Sequence, residues 1–307
     1  MTQFAFLFPG QASQYVGMGK DLYDQFSDVK KLFNQANEIM GFDLAQICFY
    51  GPEDELRQTR LTQPAIFVHS LAVFQILSQA GISARALAGH SLGEYSALVA
   101  ADALQFADGL QLVKIRGELM QTAGVNNPGT MAAIIGLEPF QINDVCERVR
   151  DIGIVCPANY NSPGQIAISG DVAAVHAAME MAQEVGAKKV VELEVSGAFH
   201  SLLMQSAQEG LNTALENANI SDPKIPVYSN VSAVPAANAE DVRNLLKEQL
   251  LSPVRWTEII ENMIEDGIDS FVEVGPGKVI SGLTRRIDRT KSCRNVGTVE
   301  EVKAFIN

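Results

Sequence analysis

A serine flanked two residues away on each side by glycine, in Gly89-His90-Ser91-Leu92-Gly93, is the pattern in this chain with the clearest chemical meaning. A short apolar stretch, residues 84–88, leads into it, and a helix-forming stretch, residues 94–101, leads away. When a strand turns sharply into a helix, the serine at the bend is lifted clear of the sheet. The next backbone N–H groups then point at the atom its oxygen attacks. Glycine on either side removes the Cβ atoms that would obstruct the bend. The chemistry implied is acyl transfer by a serine nucleophile. The competing role for the same residue is a helix N-cap.

A serine nucleophile needs a base, and four histidines are available. His69 sits in an apolar helical stretch and reads as a packed position. His176 reads as helix surface. His90 adjoins Ser91, but neighbours on a tight turn point apart. His200 follows a strand and precedes a helix in Ser196-Gly197-Ala198-Phe199-His200-Ser201, a loop position of the kind that lines clefts. Base and helix cap are both open to it from local sequence.

On a helical wheel beginning at Phe106, Gln111, Lys114, Glu118 and Gln121 share the polar side, while Arg116 falls among Leu112, Leu119, Met120 and Ala123. A guanidinium on a buried face keeps its charge and needs an anion. That anion is either an internal carboxylate or the carboxylate of a substrate held by two parallel hydrogen bonds. The loop Gly10-Gln11-Ala12-Ser13-Gln14 follows the first strand, where α/β sheets place ligand contacts.

These residues need a scaffold. To about residue 123, strand and helix signals alternate: strand 4–8, helix 66–77, helix 91–101, then 104–123 as one long helix or two broken near Asp108-Gly109. That alternation predicts a mostly parallel sheet covered by helices. A turn-rich stretch at 124–129 interrupts it. Strand 131–137, helix 139–150, strand 152–158, a turn at 161–164, strand 165–169, helix 172–185 and strand 189–195 follow, the β-α-β-β-α-β order of a ferredoxin-like unit. Beyond residue 197 come helices over 202–218, 242–251 and 256–266 and strands over 226–230 and 270–274. The expected organisation is an α/β core from residues 1–123 and 197–307, with a small domain inserted at 124–196.

The 307 residues are 47% hydrophobic and 19% charged, enough apolar mass for a large buried core. The N-terminus reads as a buried strand rather than a leader peptide, and no apolar run reaches the ~18 residues of a membrane span. Four scattered cysteines without a Cys-x-x-Cys pair suggest neither zinc nor disulfides, and reduced thiols point to the cytoplasm. A net charge of −13 argues against nucleic acid as a partner.

Together these motifs resemble the malonyl-CoA:acyl carrier protein transacylases nearly end to end. The resemblance rests on Phe8 to Gln14, Gly89 to Glu94, Arg116, Asn159 to Gln165, Gly197 to Ser201 and Val274 to Gly277. Ala12 departs from it, because many members carry glycine there. The resemblance implies a parallel-sheet, hydrolase-like acyltransferase core and a ping-pong transfer of malonyl from malonyl-CoA to the phosphopantetheine thiol of acyl carrier protein, with no tightly bound cofactor. It gives Ser91 as nucleophile, His200 as base, and the main-chain carbonyl of Gln249 as the group orienting His200. The N–H groups of Gln11 and Leu92 form the oxyanion hole, and Arg116 receives the malonyl carboxylate. His90, Asn159, Asn161 and Phe199 border the substrate, Phe199 favouring malonyl over bulkier units. An acidic carrier would need a local basic patch, and Arg285, Arg286, Arg289 and Lys291, or Lys188 and Lys189, supply candidates.

Two other classes share part of this pattern. An α/β-hydrolase esterase or thioesterase has the same elbow but places an acid on a late strand, and Asp144, Asp151 and Asp171 all fall in the expected insert. A carrier-binding module has no need of a nucleophile. Within the family, fatty-acid and polyketide pathways read alike.

Overall fold

The computed structural model describes residues 4–307. The first strand, β1 (Phe4–Phe8), is followed by α1 (Lys20–Gln25), α2 (Ser27–Met40), α3 (Leu44–Tyr50), α4 (Glu53–Leu56) and α5 (Thr59–Gln79). Then come β2 (Ala86–Gly89), α6 (Gly93–Ala100) and α7 (Phe106–Asn126). A second group comprises β3 (Gly129–Ile135), α8 (Pro139–Arg148), β4 (Val155–Ser162), β5 (Gln165–Asp171), α9 (Val172–Glu184) and β6 (Lys189–Glu192). The chain closes with α10 (Gln205–Asn217), β7 (Val227–Tyr228), α11 (Ala239–Gln249), α12 (Trp256–Glu265), β8 (Ser270–Val274), α13 (Val279–Ile287), β9 (Ser292–Val296) and α14 (Val299–Ile306).

The larger sheet has the order β7-β2-β1-β8-β9, and every pairing in it is parallel. Its central strands are mostly apolar because both faces are covered; the exception within β8 is buried Glu273, whose carboxylate accepts from the backbone N–H groups of Ile280 and Ser281 at the start of α13. Phe6, Phe8, Leu87, Val272 and Val274 join the core beneath α5 and α7. The alternate residues Ala5, Leu7, Ala86, Ala88 and Phe271 pack with Trp256, Ile259 and Ile260 of α12. The two-residue period of the strand thus divides one run of side chains between two cores. Helix α5 is long and apolar enough to cross a bilayer by length and composition, contrary to the expectation that no run reaches that length. Its apolar window is 83% buried inside the protein, as befits the central helix of a core.

The smaller sheet is antiparallel with order β4-β5-β3-β6, the strand order of a ferredoxin-like β-α-β-β-α-β unit. Ala132, Ile134, Ile166 and Ile168 face α8 and α9. Met131, Ala133, Gln165 and Ala167 on the opposite face line a cleft shared with the larger sheet.

Of the two alternatives left for residues 104–123, the single long helix is the one formed: α7 is continuous through Asp108-Gly109. Several boundaries differ from the sequence reading. Helix α7 runs on to Asn126, so a boundary at 124 falls within it. Both glycines are places of close packing: an added Cβ would lie 2.7 Å from Val99 Cγ2 at Gly109 and 2.1 Å from Ser196 O at Gly124. Strand β4 extends through Ser162, where a turn was expected, because residues 159–162 still pair with β5 and Asn159 also bridges to Val254. The expected strand over 189–195 stops at Glu192, an exposed edge position. The sequence reading assigned nothing to α1–α4, β9 or α14.

Candidate active site

Parallel strands end at one edge of a sheet, and at this edge the loops after β1, β2, β7 and β8 converge. With the open face of the smaller sheet, the segments that follow β1, β2 and β8 border a cleft of about 460 Å³. Ser91 stands at the bend between β2 and α6 with φ at +51°, a left-handed backbone that is unfavourable for a residue with a Cβ. The bend closes because its glycines admit neighbouring backbone. A Cβ on Gly89 would lie 1.8 Å from Gly93 C, and one on Gly93 would lie 2.1 Å from Phe8 O.

Ser91 Oγ lies 2.9 Å from His200 Nε2. On the far side of the ring, Nδ1 is 3.0 Å from the carbonyl oxygens of both Gln249 and Ser252. Carbonyls only accept, so Nδ1 carries the proton and Nε2 presents its lone pair to the serine hydroxyl. Burial, together with the nearby Arg116 charge, pushes the His200 pKa down to about 3 and keeps the imidazole neutral. No carboxylate orients this ring among the described residues.

Arg116 is 1% exposed. Its guanidinium donates to Ser91 Oγ at 3.0 Å, to Gln249 Oε1 at 3.0 Å and to Gln63 Oε1 at 2.8 Å. Burial lowers its pKa, though a guanidinium starts too high to lose its charge at neutral pH. Among the described residues no carboxylate forms an ion pair with it; Tyr95 offers its ring face, 5.6 Å away. The nearest route to an anion is indirect. Gln249 Nε2 donates to Glu94 Oε2 at 2.7 Å and to Ser91 O at 3.0 Å. Burial pushes the Glu94 carboxyl up to about 7.

The other sequence candidates divide clearly. Gln11, Leu92, His90, Asn159, Asn161 and Phe199 all line the cleft. The Gln11 side chain donates to Thr59 Oγ1 at 3.1 Å. Among the described residues, no protein acceptor takes the backbone N–H of Gln11 or Leu92. His90 turns from Ser91 as expected, its Nε2 sitting 2.8 Å from Asn161 Oδ1 and its ring against Trp256. His69 is fully buried in α5, and His176 is on the surface of α9 near Glu192. Four residues of this network were missed by the sequence reading: Gln63, Glu94, Ser252 and Asn230, whose Oδ1 accepts from Ser91 N–H at 2.6 Å. Only Glu94 carried a local signal, because it lies in the first turn of α6 directly after the elbow. Ala12, in place of glycine, adopts φ +79° and donates its N–H to Gln14 Oε1 at 2.9 Å.

Comparison with known proteins gives the family of the chain. The acyl transferase domain family matches residues 5–304. The malonyl CoA-acyl carrier protein transacylase of Bacillus subtilis (strain 168) is 45% identical over 307 residues, covering 100% of this chain and 97% of that protein. The chain belongs to the malonyl-CoA:acyl carrier protein transacylase family. The Haemophilus influenzae transacylase is 44% identical over 311 residues, with all of both chains covered. Among solved structures, the transacylase of Coxiella burnetii superimposes with a TM-score of 0.97 at 40% identity, covering 99% of this chain and 97% of that one. A malonyl-transacylase in complex with a type II polyketide acyl-carrier protein gives 0.96 at 40% identity, with 99% of each chain covered. This chain therefore has both the family's fold and its acyltransferase character.

Proposed function

We propose that the chain moves a malonyl group from malonyl-CoA to the phosphopantetheine thiol of acyl carrier protein, by way of a malonyl ester on Ser91. The observation that carries this reading is Arg116, a buried cation with no carboxylate of its own, whose guanidinium is 3.0 Å from the Ser91 hydroxyl. A dicarboxylic acyl group brings the missing anion, and the planar guanidinium fork suits a carboxylate. Acetyl brings none.

In the first half-reaction, Ser91 Oγ attacks the thioester carbonyl while its proton passes to His200 Nε2. The carbonyls of Gln249 and Ser252 hold the resulting imidazolium through Nδ1–H. The N–H groups of Gln11 and Leu92 receive the developing oxyanion, and donors of this kind contribute ~3 kcal/mol each to the transition state. The tetrahedral intermediate expels the CoA sulfur, which takes the proton from His200. In the second half, the carrier thiol gives its proton to His200 and attacks the ester, and Ser91 recovers its proton as it leaves. Two half-reactions through one covalent intermediate give ping-pong kinetics. Phe199 bounds the acyl end, while His90, Asn159 and Asn161 border the substrate. No tightly bound cofactor enters any step.

Residues 124–196 act as a small domain in this scheme, its open sheet face forming one wall of the cleft. Helix α13 supports a carrier-docking role, because Val279, Ile280 and Leu283 line the cleft and its last turn carries Arg285 and Arg286. A cytoplasmic role in fatty-acid synthesis fits these properties; the likeness to a polyketide-system transacylase makes carrier preference the discriminating property. The test is intact-protein mass spectrometry after brief exposure to malonyl-CoA or acetyl-CoA, on wild type and Ser91→Ala. The expected result is a malonyl adduct mapped to Ser91, weak with acetyl-CoA and absent from the variant. Rapid CoA release with no lasting adduct and no carrier present would make the protein a hydrolase.

A further inference from the structure

Asn230 is fully buried, and its amide spans the two sides of the nucleophile's turn. Its Oδ1 accepts from Ser91 N–H at 2.6 Å, and its Nδ2 donates to Gly89 O at 2.7 Å. Reversing the amide would set donor against donor and acceptor against acceptor, so this orientation is fixed. The placement follows from strand register. Leu87 pairs with Val227 and Ala88 with Tyr228, so two residues further on Asn230 stands beside the elbow. The backbone N–H of Asn230 donates to Glu94 Oε2 at 3.2 Å, and the same oxygen accepts from Gln249 Nε2. Arg255 N–H donates to Asn230 O at 3.1 Å, tying the brace to the start of α12.

We propose that Asn230 and Glu94 are positioning residues that hold Ser91 in its left-handed backbone and in register with His200 and Arg116. The argument runs through strain. A residue with a Cβ at φ +51° persists only when its surroundings over-determine it. Here one amide clamps the turn from both sides, and one carboxyl oxygen fixes both that clamp and Gln249. Gln249 in turn reaches Arg116 through its side chain and His200 through its carbonyl. Removing the clamp lets the turn relax towards a right-handed backbone and carries Oγ away from Nε2. Misplacement of reacting groups by about 1 Å costs on the order of 100-fold in rate.

The inference concerns the reactivity of Ser91 and rests on the proposed function only in naming that serine as nucleophile, so its test uses a probe that does not depend on the substrate. A fluorophosphonate phosphonylates an activated serine, and the rate of labelling at Ser91 is read by intact mass for wild type, Asn230→Ala, Glu94→Ala and Glu94→Gln, with thermal midpoints alongside. Asn230→Ala and Glu94→Ala should label about 10- to 100-fold more slowly than wild type while still unfolding cooperatively. Glu94→Gln, which keeps an acceptor oxygen, should recover most of the rate lost in Glu94→Ala. With malonyl-CoA, the same variants should lose kcat with KM little changed. Labelling of Asn230→Ala at the wild-type rate, or a wild-type Ser91 inert to the probe, would overturn the inference. If Asn230→Ala fails to fold, Asn230→Asp decides: it keeps an acceptor for Ser91 N–H but sets a carboxylate oxygen against Gly89 O, and wild-type labelling by it would equally overturn the brace. Wild type that labels but forms no malonyl adduct would refute the proposed function and leave the brace standing.

Discussion

Replacing Arg116 with alanine separates its contact with Ser91 from the carboxylate-binding task proposed for it. It donates to Ser91 Oγ, a contact that any acyl group would feel, and it is the buried cation that a carboxylate of the acyl group would meet. Hydrogen bonds to a charged group contribute ~1.5–3 kcal/mol each. Two parallel bonds to a malonyl carboxylate therefore amount to ~3–6 kcal/mol, or roughly 10²- to 10⁴-fold in kcat/KM. The bond to Ser91 Oγ is a smaller effect shared by every donor. Acetyl leaves the guanidinium unpaired, so its acylation rate should fall little. The assay is single-turnover CoA release with malonyl-CoA and acetyl-CoA, and the ratio of the two rates cancels the shared loss. A collapse of that ratio by 10²-fold or more is expected. Equal losses for both donors would refute the reasoning and reduce Arg116 to a partner of the serine hydroxyl. Arg116→Lys should fall between, because a single ammonium keeps the charge without the fork that reaches Gln63 and a carboxylate together.

Ala12→Gly should stabilise the protein by ~1 kcal/mol by relieving a left-handed alanine, read as a higher urea midpoint at unchanged slope; a lower midpoint would show that the loop carries no such strain. Acid should destabilise the fold, because burial holds His200 to about 3 and His69 to about 4 and also lowers His90, all from a usual value of 6.5. Below 6.5 the unfolded chain binds protons that the folded one refuses, so this stability is complete above 6.5 and drains as pH falls towards 4. Glu94, raised to about 7, acts in the opposite sense, and Glu273 and Glu261, which burial also raises, act with it. Their gain on acidification is complete by the usual carboxylate value of 4.5, whereas the loss from His69 and His200 continues towards 4 and 3. Urea midpoints that hold steady from about pH 4.5 to 3.5 would contradict this balance. For the carrier surface, Arg285→Glu with Arg286→Glu should raise KM for acyl carrier protein while Ser91 acylation by malonyl-CoA keeps its rate, and an unchanged carrier dependence would move docking elsewhere on the protein.

The sequence carried as much of the site as is written in local spacing. Gly89, Ser91 and Gly93 between a strand and a helix specify an elbow because the bend depends on what its immediate neighbours lack, namely Cβ atoms where backbone must pass. The wheel of α7 put Arg116 on the buried side because helical period alone decides facing. The continuity of α7 was left open at Gly109 and hidden at Gly124, since glycine signals a break locally and close packing only in three dimensions. Tertiary structure decided the rest. His200 is 109 residues from Ser91, and neither its 2.9 Å approach nor its proton-bearing Nδ1 can be read from its own loop. Arg116 had two possible kinds of partner, and only the folded chain shows it surrounded by Gln63, Gln249 and Ser91 instead of a carboxylate. Asn230 carries no motif at all. Its place beside the elbow comes from the parallel register of β2 with β7, a pairing between strands about 140 residues apart that depends on how the whole sheet assembles.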